Sequence, residues 1–206
     1  MRVIAGALKG RRFSPPKSNK QLRPMTDRVR EATFAWLEQH TGGLDGAAVL
    51  DLYSGSGSLG IEALSRGAQF VCFIEANREF AEVLKRSLVE LGISESSMVL
   101  AEKVERAIGR LRERLGAQKP TLGGAFHLIF VDPPYREHPG TSVLRMLAHE
   151  KLVREGTYVV MESDQGTSLP DEEEYVESGL GIIRVLSKRY GGTMLSVYRY
   201  RTAGTL

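Results

Sequence analysis

Short apolar runs, the first broken only by Asp51, alternate along the chain with stretches in which apolar residues recur every three or four positions. The runs at residues 47–53, 70–74, 98–100, 126–131 and 158–161 predict buried strands. Between them, Leu59, Ala63 and Leu64 predict a helix over about residues 57–66, and Phe80, Val83, Leu84, Leu88 and Leu91 predict one that stops near Gly92. Val104, Ala107, Ile108, Leu111 and Leu115 mark a third, and Val143, Leu144 and Leu147 a fourth. Each strand–helix repeat implies a parallel neighbour, so the class is α/β with a mostly parallel sheet. Residues 182–190 and 193–200 flank Gly191-Gly192 and read as a hairpin with a primed two-residue turn, which adds two antiparallel strands and makes seven. The acidic stretch around Asp171-Glu172-Glu173-Glu174 is expected to be a solvated loop.

Ahead of the first strand, Thr26 or Asp27 can cap a helix whose apolar stripe is Val29, Ala32, Trp36 and Leu37, with Trp36 packed into the core. Val3-Ile4-Ala5-Gly6 and Arg11-Arg12-Phe13 suit a small hairpin around Lys9-Gly10, followed by an irregular linker at Pro15-Pro16. The expected organisation is an N-terminal arm, residues 1–25, and one domain, residues 26–206.

Composition narrows the class. A chain of 206 residues supports one substantial core and leaves no room for a dinucleotide domain plus a separate substrate domain. No apolar run reaches the length of a membrane span and the N-terminus has no signal-peptide core, so a cytoplasmic protein is expected. The single cysteine, Cys72, falls inside a predicted strand and reads as a reduced core residue. Charge is unevenly placed: residues 1–30 hold nine Lys or Arg against Asp27 alone, a net +8, which leaves −5 for the rest of a chain whose total is +3. Concentrated positive charge of this kind suits a phosphate backbone.

Two stretches carry candidate chemistry. In Val49-Leu50-Asp51-Leu52-Tyr53-Ser54-Gly55-Ser56-Gly57-Ser58-Leu59-Gly60 the glycines sit where a strand turns into a helix, where backbone N–H groups can approach a ligand closely. Asp51 is a carboxylate in an apolar strand and needs a partner such as a loop N–H or a cationic ligand. Glu75 closes the next apolar run about twenty residues after the glycines, where a carboxylate can accept both ribose hydroxyls of an adenosine ligand. Later, Asp132-Pro133-Pro134-Tyr135 closes the fourth run. Paired prolines give an extended, donor-free turn that leaves the Asp132 carboxylate and the Pro133 carbonyl as acceptors for one amino group, with the Tyr135 ring as a stacking face.

Together these blocks resemble class I S-adenosylmethionine-dependent methyltransferases that modify exocyclic amines. With Met1-Arg2-Val3-Ile4-Ala5-Gly6, Arg23-Pro24-Met25-Thr26-Asp27-Arg28-Val29-Arg30-Glu31 and Glu62-Ala63-Leu64-Ser65-Arg66-Gly67, the chain resembles the RsmD family over essentially its whole length. The resemblance implies a Rossmann-like class I methyltransferase fold and methylation of N2 of one guanine in 16S ribosomal RNA, within a small-subunit particle. A monomer is expected, with no membrane and no metal involved. Carried over by position, Asp51, Tyr53, Ser54, Gly55, Ser56 and Gly57 hold the methionine part of S-adenosylmethionine, and Glu75 with Ala76 holds the ribose. Glu102, Lys103, Val104 and Asp132 complete the cofactor site; Asp132, Pro133, Pro134 and Tyr135 take the guanine amine. Arg2, Lys9, Arg11, Arg12, Arg23, Thr26, Arg28 and Arg30 are the RNA-binding set. The family usually has Asp or Asn followed by Ala where this chain has Lys103-Val104, so Glu102 or a backbone carbonyl replaces the usual adenine acceptor.

Three other readings compete. Methylation of adenine or cytosine in DNA, or of a glutamine side chain, uses a similar proline turn, but the chain lacks a DNA-reading domain and has Asp132 where glutamine methylation goes with Asn. A nicotinamide oxidoreductase would use Gly55, Gly57 and Gly60 as its fingerprint, yet its substrate domain is missing. A nucleic-acid-binding module without catalysis is opposed by Asp132 and Tyr135.

Overall fold

The computed structural model describes residues 1–15, 25–116, 125–133 and 140–204. The chain forms two compact units, Met1–Lys103 and Val104–Leu206. In the first, α1 (Asp27–Thr41), β1 (Ala48–Leu52), α2 (Ser58–Ser65), β2 (Phe70–Ile74), α3 (Arg78–Leu91) and β3 (Ser97–Leu100) follow in order. β2 is flanked by β1 and β3, both parallel to it, with Leu50 opposite Cys72 and Cys72 opposite Met98. Every residue of β1 and β2 is buried, which is why both read as continuous apolar runs.

Local signals end the helices. Thr26 Oγ1 accepts from Val29 N at 3.4 Å and caps α1, which stops at Gly42 in the left-handed conformation (φ 75°). Asn77 Oδ1 accepts from Glu79 N and Phe80 N at the start of α3, and Gly92 (φ 76°) ends it. The stripe expected on α1 is rotated: its buried residues are Arg30, Thr33, Phe34 and Leu37. Thr33 is accommodated because its hydroxyl donates to Val29 O at 2.8 Å. Trp36, expected in the core, is half-buried and stacks on His40 with ring centroids 4.0 Å apart.

The second unit contains α4 (Val104–Leu115), β4 (Leu128–Val131), α5 (Ser142–His149), β5 (Tyr158–Asp164), β6 (Glu172–Tyr175), β7 (Leu180–Tyr190) and β8 (Thr193–Thr202). β4 and β5 are parallel, β8 lies antiparallel between β5 and β7, and β6 pairs antiparallel with β7. The hairpin turn is closed by Tyr190 opposite Thr193, with Gly191 at φ 60° in its first position. The described residues thus hold eight strands, not the expected seven. The extra one is β6, made from the acidic stretch expected to be a solvated loop. Its carboxylates find arginines elsewhere in the unit: Glu173 pairs with Arg145, and Glu172 and Glu174 lie 3.4 and 3.9 Å from Arg201. Charged side chains also suit an edge strand. Among the described residues, no helix is long and apolar enough to cross a membrane.

Candidate cofactor and nucleic-acid sites

The carboxylate of Asp51 is buried in β1, and its Oδ2 accepts from Gly60 N at 3.0 Å, so strand and following helix are tied across the glycine turn. Gly60 is needed for the same approach, since a Cβ there would lie 2.2 Å from Phe73 Cε1 and 2.8 Å from Val71 Cγ1 on β2. The turn carries three left-handed residues: Tyr53 (φ 57°), Gly55 (φ 52°) and Gly57 (φ 74°). Tyr53 is the non-glycine among them, a conformation that side chains rarely adopt and that clusters at ligand sites. Ser54 fastens the turn to β2, its backbone N donating to Ile74 O at 3.0 Å and its hydroxyl to the same oxygen. Ser56 is buried and Ala76 exposed.

Glu75 lies just past β2 and closes the loop from the other side. Its Oε2 accepts from Gly55 N and its Oε1 from Asn77 N, both at 2.7 Å, and the residue is 9% exposed. These two bonds fix the direction of the carboxylate. Carboxylate oxygens accept hydrogen bonds, which suits the hydroxyls of a diol brought to the loop. The backbone N of Glu75 donates to Leu100 O at 3.1 Å, so the end of β3 adjoins the same place. Glu102 is half-buried and Lys103 exposed, while Val104 is buried as the first residue of α4.

Burial pushes the Asp51 carboxyl up to about 8, partly countered by the Gly60 N–H, and the nearby Glu75 adds to the rise. With an unfolded value near ~3.9, the folded protein keeps this group protonated where the unfolded chain has lost its proton. The resulting stability is full below about pH 4 and is lost as pH rises to about 8. Thermal melts at pH 5 and pH 8 should therefore show a smaller loss for Asp51→Asn than for wild type.

In the second unit, Asp132 and Pro133 follow β4 directly and are half-buried. Pro134 and Tyr135 lie outside the described residues, as does Arg23 of the proposed RNA set.

The N-terminal arm is docked on the first unit. Arg2 and Arg12 form an antiparallel bridge, and Val3 and Phe13 are buried. Ile4 N and Ala5 N donate to Glu62 Oε2 and Oε1 at 2.8 and 3.0 Å, Leu8 N donates to Ser65 Oγ at 3.0 Å, and Ala7 N to Ser65 O at 2.7 Å. Gly6 (φ 79°) is required there, because a Cβ would fall 1.8 Å from Ser65 O. Arg2, Lys9, Arg11, Arg12 and Arg28 are exposed. Arg30, counted among the RNA-binding residues, is 1% exposed: its Nη2 donates to Arg2 O and Asp27 Oδ1, and its Nε lies 4.0 Å from Glu62. It holds the arm to α1 instead of facing solvent, and Thr26 serves as the α1 cap. Sequence reasoning gave Glu62 and Ser65 no role beyond their place in a family motif and passed over Asn77. The available signal for Glu62 was a lone acid inside the otherwise uncharged helix segment Ser58–Ser65.

The family described as "Conserved hypothetical protein 95" matches residues 1–199. The ribosomal RNA small subunit methyltransferase D of Escherichia coli (strain K12) is 32% identical over 170 residues, covering 82% of this chain and 78% of that protein. The YlbH protein of Bacillus subtilis (strain 168) is 31% identical over 201 residues, 98% of this chain and 100% of its own. The solved structure of the Escherichia coli protein yhhF superposes with a TM-score of 0.75 at 28% identity and covers 98% of both chains, in keeping with a Rossmann-like class I methyltransferase fold. By its whole-length match and its likeness to these relatives, the chain belongs to the ribosomal RNA small subunit methyltransferase D (RsmD) family.

Proposed function

We propose that this protein methylates the exocyclic N2 amine of one guanine in 16S ribosomal RNA, using S-adenosylmethionine, as a cytoplasmic monomer acting on a small-subunit particle. The observation that carries the reading is the bond between Gly55 N and Glu75, which joins two stretches that were singled out separately for holding an adenosine ligand. In this reading residues 26–206 are the methyltransferase domain and residues 1–25 its RNA-binding arm.

When bound, S-adenosylmethionine supplies an electrophilic methyl group on its sulfonium sulfur. The residues of the first unit orient it: Glu75 accepts from the ribose hydroxyls, and the turn from Asp51 to Gly57 holds the methionine part. Glu75→Ala should weaken S-adenosylmethionine binding by about 1.5–3 kcal/mol, one to two decades in Kd by calorimetry. Asp132 and the Pro133 carbonyl accept the hydrogens of the guanine amine, and Tyr135 stacks on the base.

The exposed cations of the arm hold phosphate without choosing the base. Lys9→Ala and Arg12→Ala should each flatten the slope of log affinity for RNA against log salt by about 0.7–0.9, with cofactor affinity unchanged. Because the arm is docked, its fold should persist in both variants.

The function is tested with labelled S-adenosylmethionine and, separately, naked RNA and small-subunit particles from cells lacking the activity, followed by mapping of the labelled nucleoside. N2-methylguanine at one position is expected. Label in DNA or protein, with none in RNA, would overturn the reading.

A further inference from the structure

The β7–β8 hairpin carries a charge imbalance that no step above uses. Residues 180–202 hold five cations, Arg184, Lys188, Arg189, Arg199 and Arg201, and no acid. Arg184 pairs with Asp171, and Arg201 lies near Glu172 and Glu174. Toward the tip the charges are set against no acid among the described residues: the Lys188 ammonium sits 5.4 Å from the centroid of the Tyr190 ring, and Arg189 Nε donates to Gly191 O at 3.1 Å. Both cations are exposed. Successive residues of a strand face opposite sides, so Lys188 and Tyr190 share one face of the hairpin and Arg189 stands on the other.

Strand register places this tip at the end of the sheet that carries Asp132. Val131, the last residue of β4, is opposite Met161 on β5, and Asp132 follows it. Three residues further along β5, Asp164 is opposite Thr193, which is itself opposite Tyr190. The tip therefore projects roughly 10 Å past the end of β4 and stands two to three strands, roughly 10–15 Å, to one side. It is held in place. The β7–β8 pairing runs to Tyr190 and Thr193, and the Gln165 side-chain amide, from the loop after β5, donates to Gly191 O. Groups ordered in advance lose little freedom when a ligand meets them.

We propose that the hairpin tip is a second RNA contact, in which Lys188 and Arg189 hold phosphates of the strand flanking the target base while Tyr190 keeps Lys188 in place. The inference rests on the RNA-methylation reading above. A base presented to Asp132 draws its neighbouring nucleotides past the same end of the sheet, where cations on phosphate set register without reading sequence. The competing reading is that these cations only guard the edge of β7, which pairs with β6 from Leu180 to Ile183. A guard would serve anywhere along the rest of that edge. Both cations instead lie within the last three residues of β7, at the end nearest Asp132.

The test removes both charges together, as Lys188→Gln with Arg189→Gln. On small-subunit particles from cells lacking the activity, the slope of log affinity against log salt should flatten by about 1.4–1.8, about 0.7–0.9 for each phosphate contact. KM should rise roughly tenfold while kcat stays within about twofold of wild type, the split expected when ground and transition states lose the same contact, and S-adenosylmethionine affinity should not change. Position is tested separately. Gly192→Cys puts a thiol on an exposed residue where an added Cβ meets nothing within 4 Å, and the single native cysteine, Cys72, is buried. A photocrosslinker on that thiol should mark nucleotides adjacent to the methylated one. An unchanged salt slope and KM in the double variant, or crosslinks confined to nucleotides remote from the methylated one, overturns the inference and leaves RNA methylation standing. Label in another RNA nucleoside with crosslinks beside it supports the tip contact and overturns only the guanine-N2 specificity. Label absent from RNA overturns both.

Discussion

Replacing Asp132 by alanine is expected to lower the single-turnover rate of methyl transfer by roughly 10²–10³, with cofactor affinity close to wild type. The reason is electronic. The lone pair of the guanine amine is delocalised into the ring, so the nitrogen is a poor nucleophile until it pyramidalises. Acceptors that draw its hydrogens out of the base plane favour the geometry reached during attack, and their contribution belongs to the transition state. Asp132 suits the task because it follows β4, whose four residues are all buried, and because Pro133 restricts its backbone. A rigid strand end fixes an acceptor better than a free loop does. Rapid-quench measurement on the true substrate checks it, and an Asp132→Ala enzyme that transfers methyl at the wild-type rate would sink the mechanism.

Glu62→Ala is expected to cost about 3–5 kcal/mol of folding stability, the scale of removing one partner from a buried charge network. Glu62 is 1% exposed and accepts from Ile4 N, Ala5 N and, at 2.8 Å, Arg66 Nε, with Arg30 close by. Deleting its carboxylate strands two backbone donors and two largely buried guanidinium groups at once. Each stranded donor carries its full desolvation cost. Denaturant unfolding measures the loss, and limited proteolysis should show the arm released, since residues 4 and 5 lose their acceptors. Glu62→Gln, which keeps one carbonyl acceptor, should fall between alanine and wild type. Unchanged unfolding and an arm still protected in Glu62→Ala would show that the arm is held by other contacts.

The arm and the glycine turn meet on one short helix. Gly60 N, in the first turn of α2, binds Asp51, while Glu62 and Ser65 on the same helix bind the arm. The cations Arg2, Lys9, Arg11 and Arg12 are therefore carried in a set arrangement on an element fastened to the core. A preordered arm avoids the entropy cost of ordering a free tail on binding.

Sequence by itself determined the parts whose physics is local. Apolar runs marked β1, β2 and β4 because strands buried on both faces tolerate little else, and Thr26 and Gly92 marked helix ends because capping needs only neighbours in the chain. Asp51 stood out for the same reason: a carboxylate in a buried strand requires a donor, and the glycine turn nine residues on supplies one from Gly60. What the tertiary structure decided involves partners far along the chain. The acids of β6 become a strand because Arg145 and Arg201, 28 and 29 residues away, neutralise them. Arg30 reads as a surface cation until Arg2 O and Glu62 close around it, and Glu62 reads as an ordinary helix acid until residues 4 and 5, more than fifty positions upstream, bring it their N–H groups. A charge is legible in a sequence where its neighbours must bury it, and only the folded chain shows which distant group makes that burial affordable.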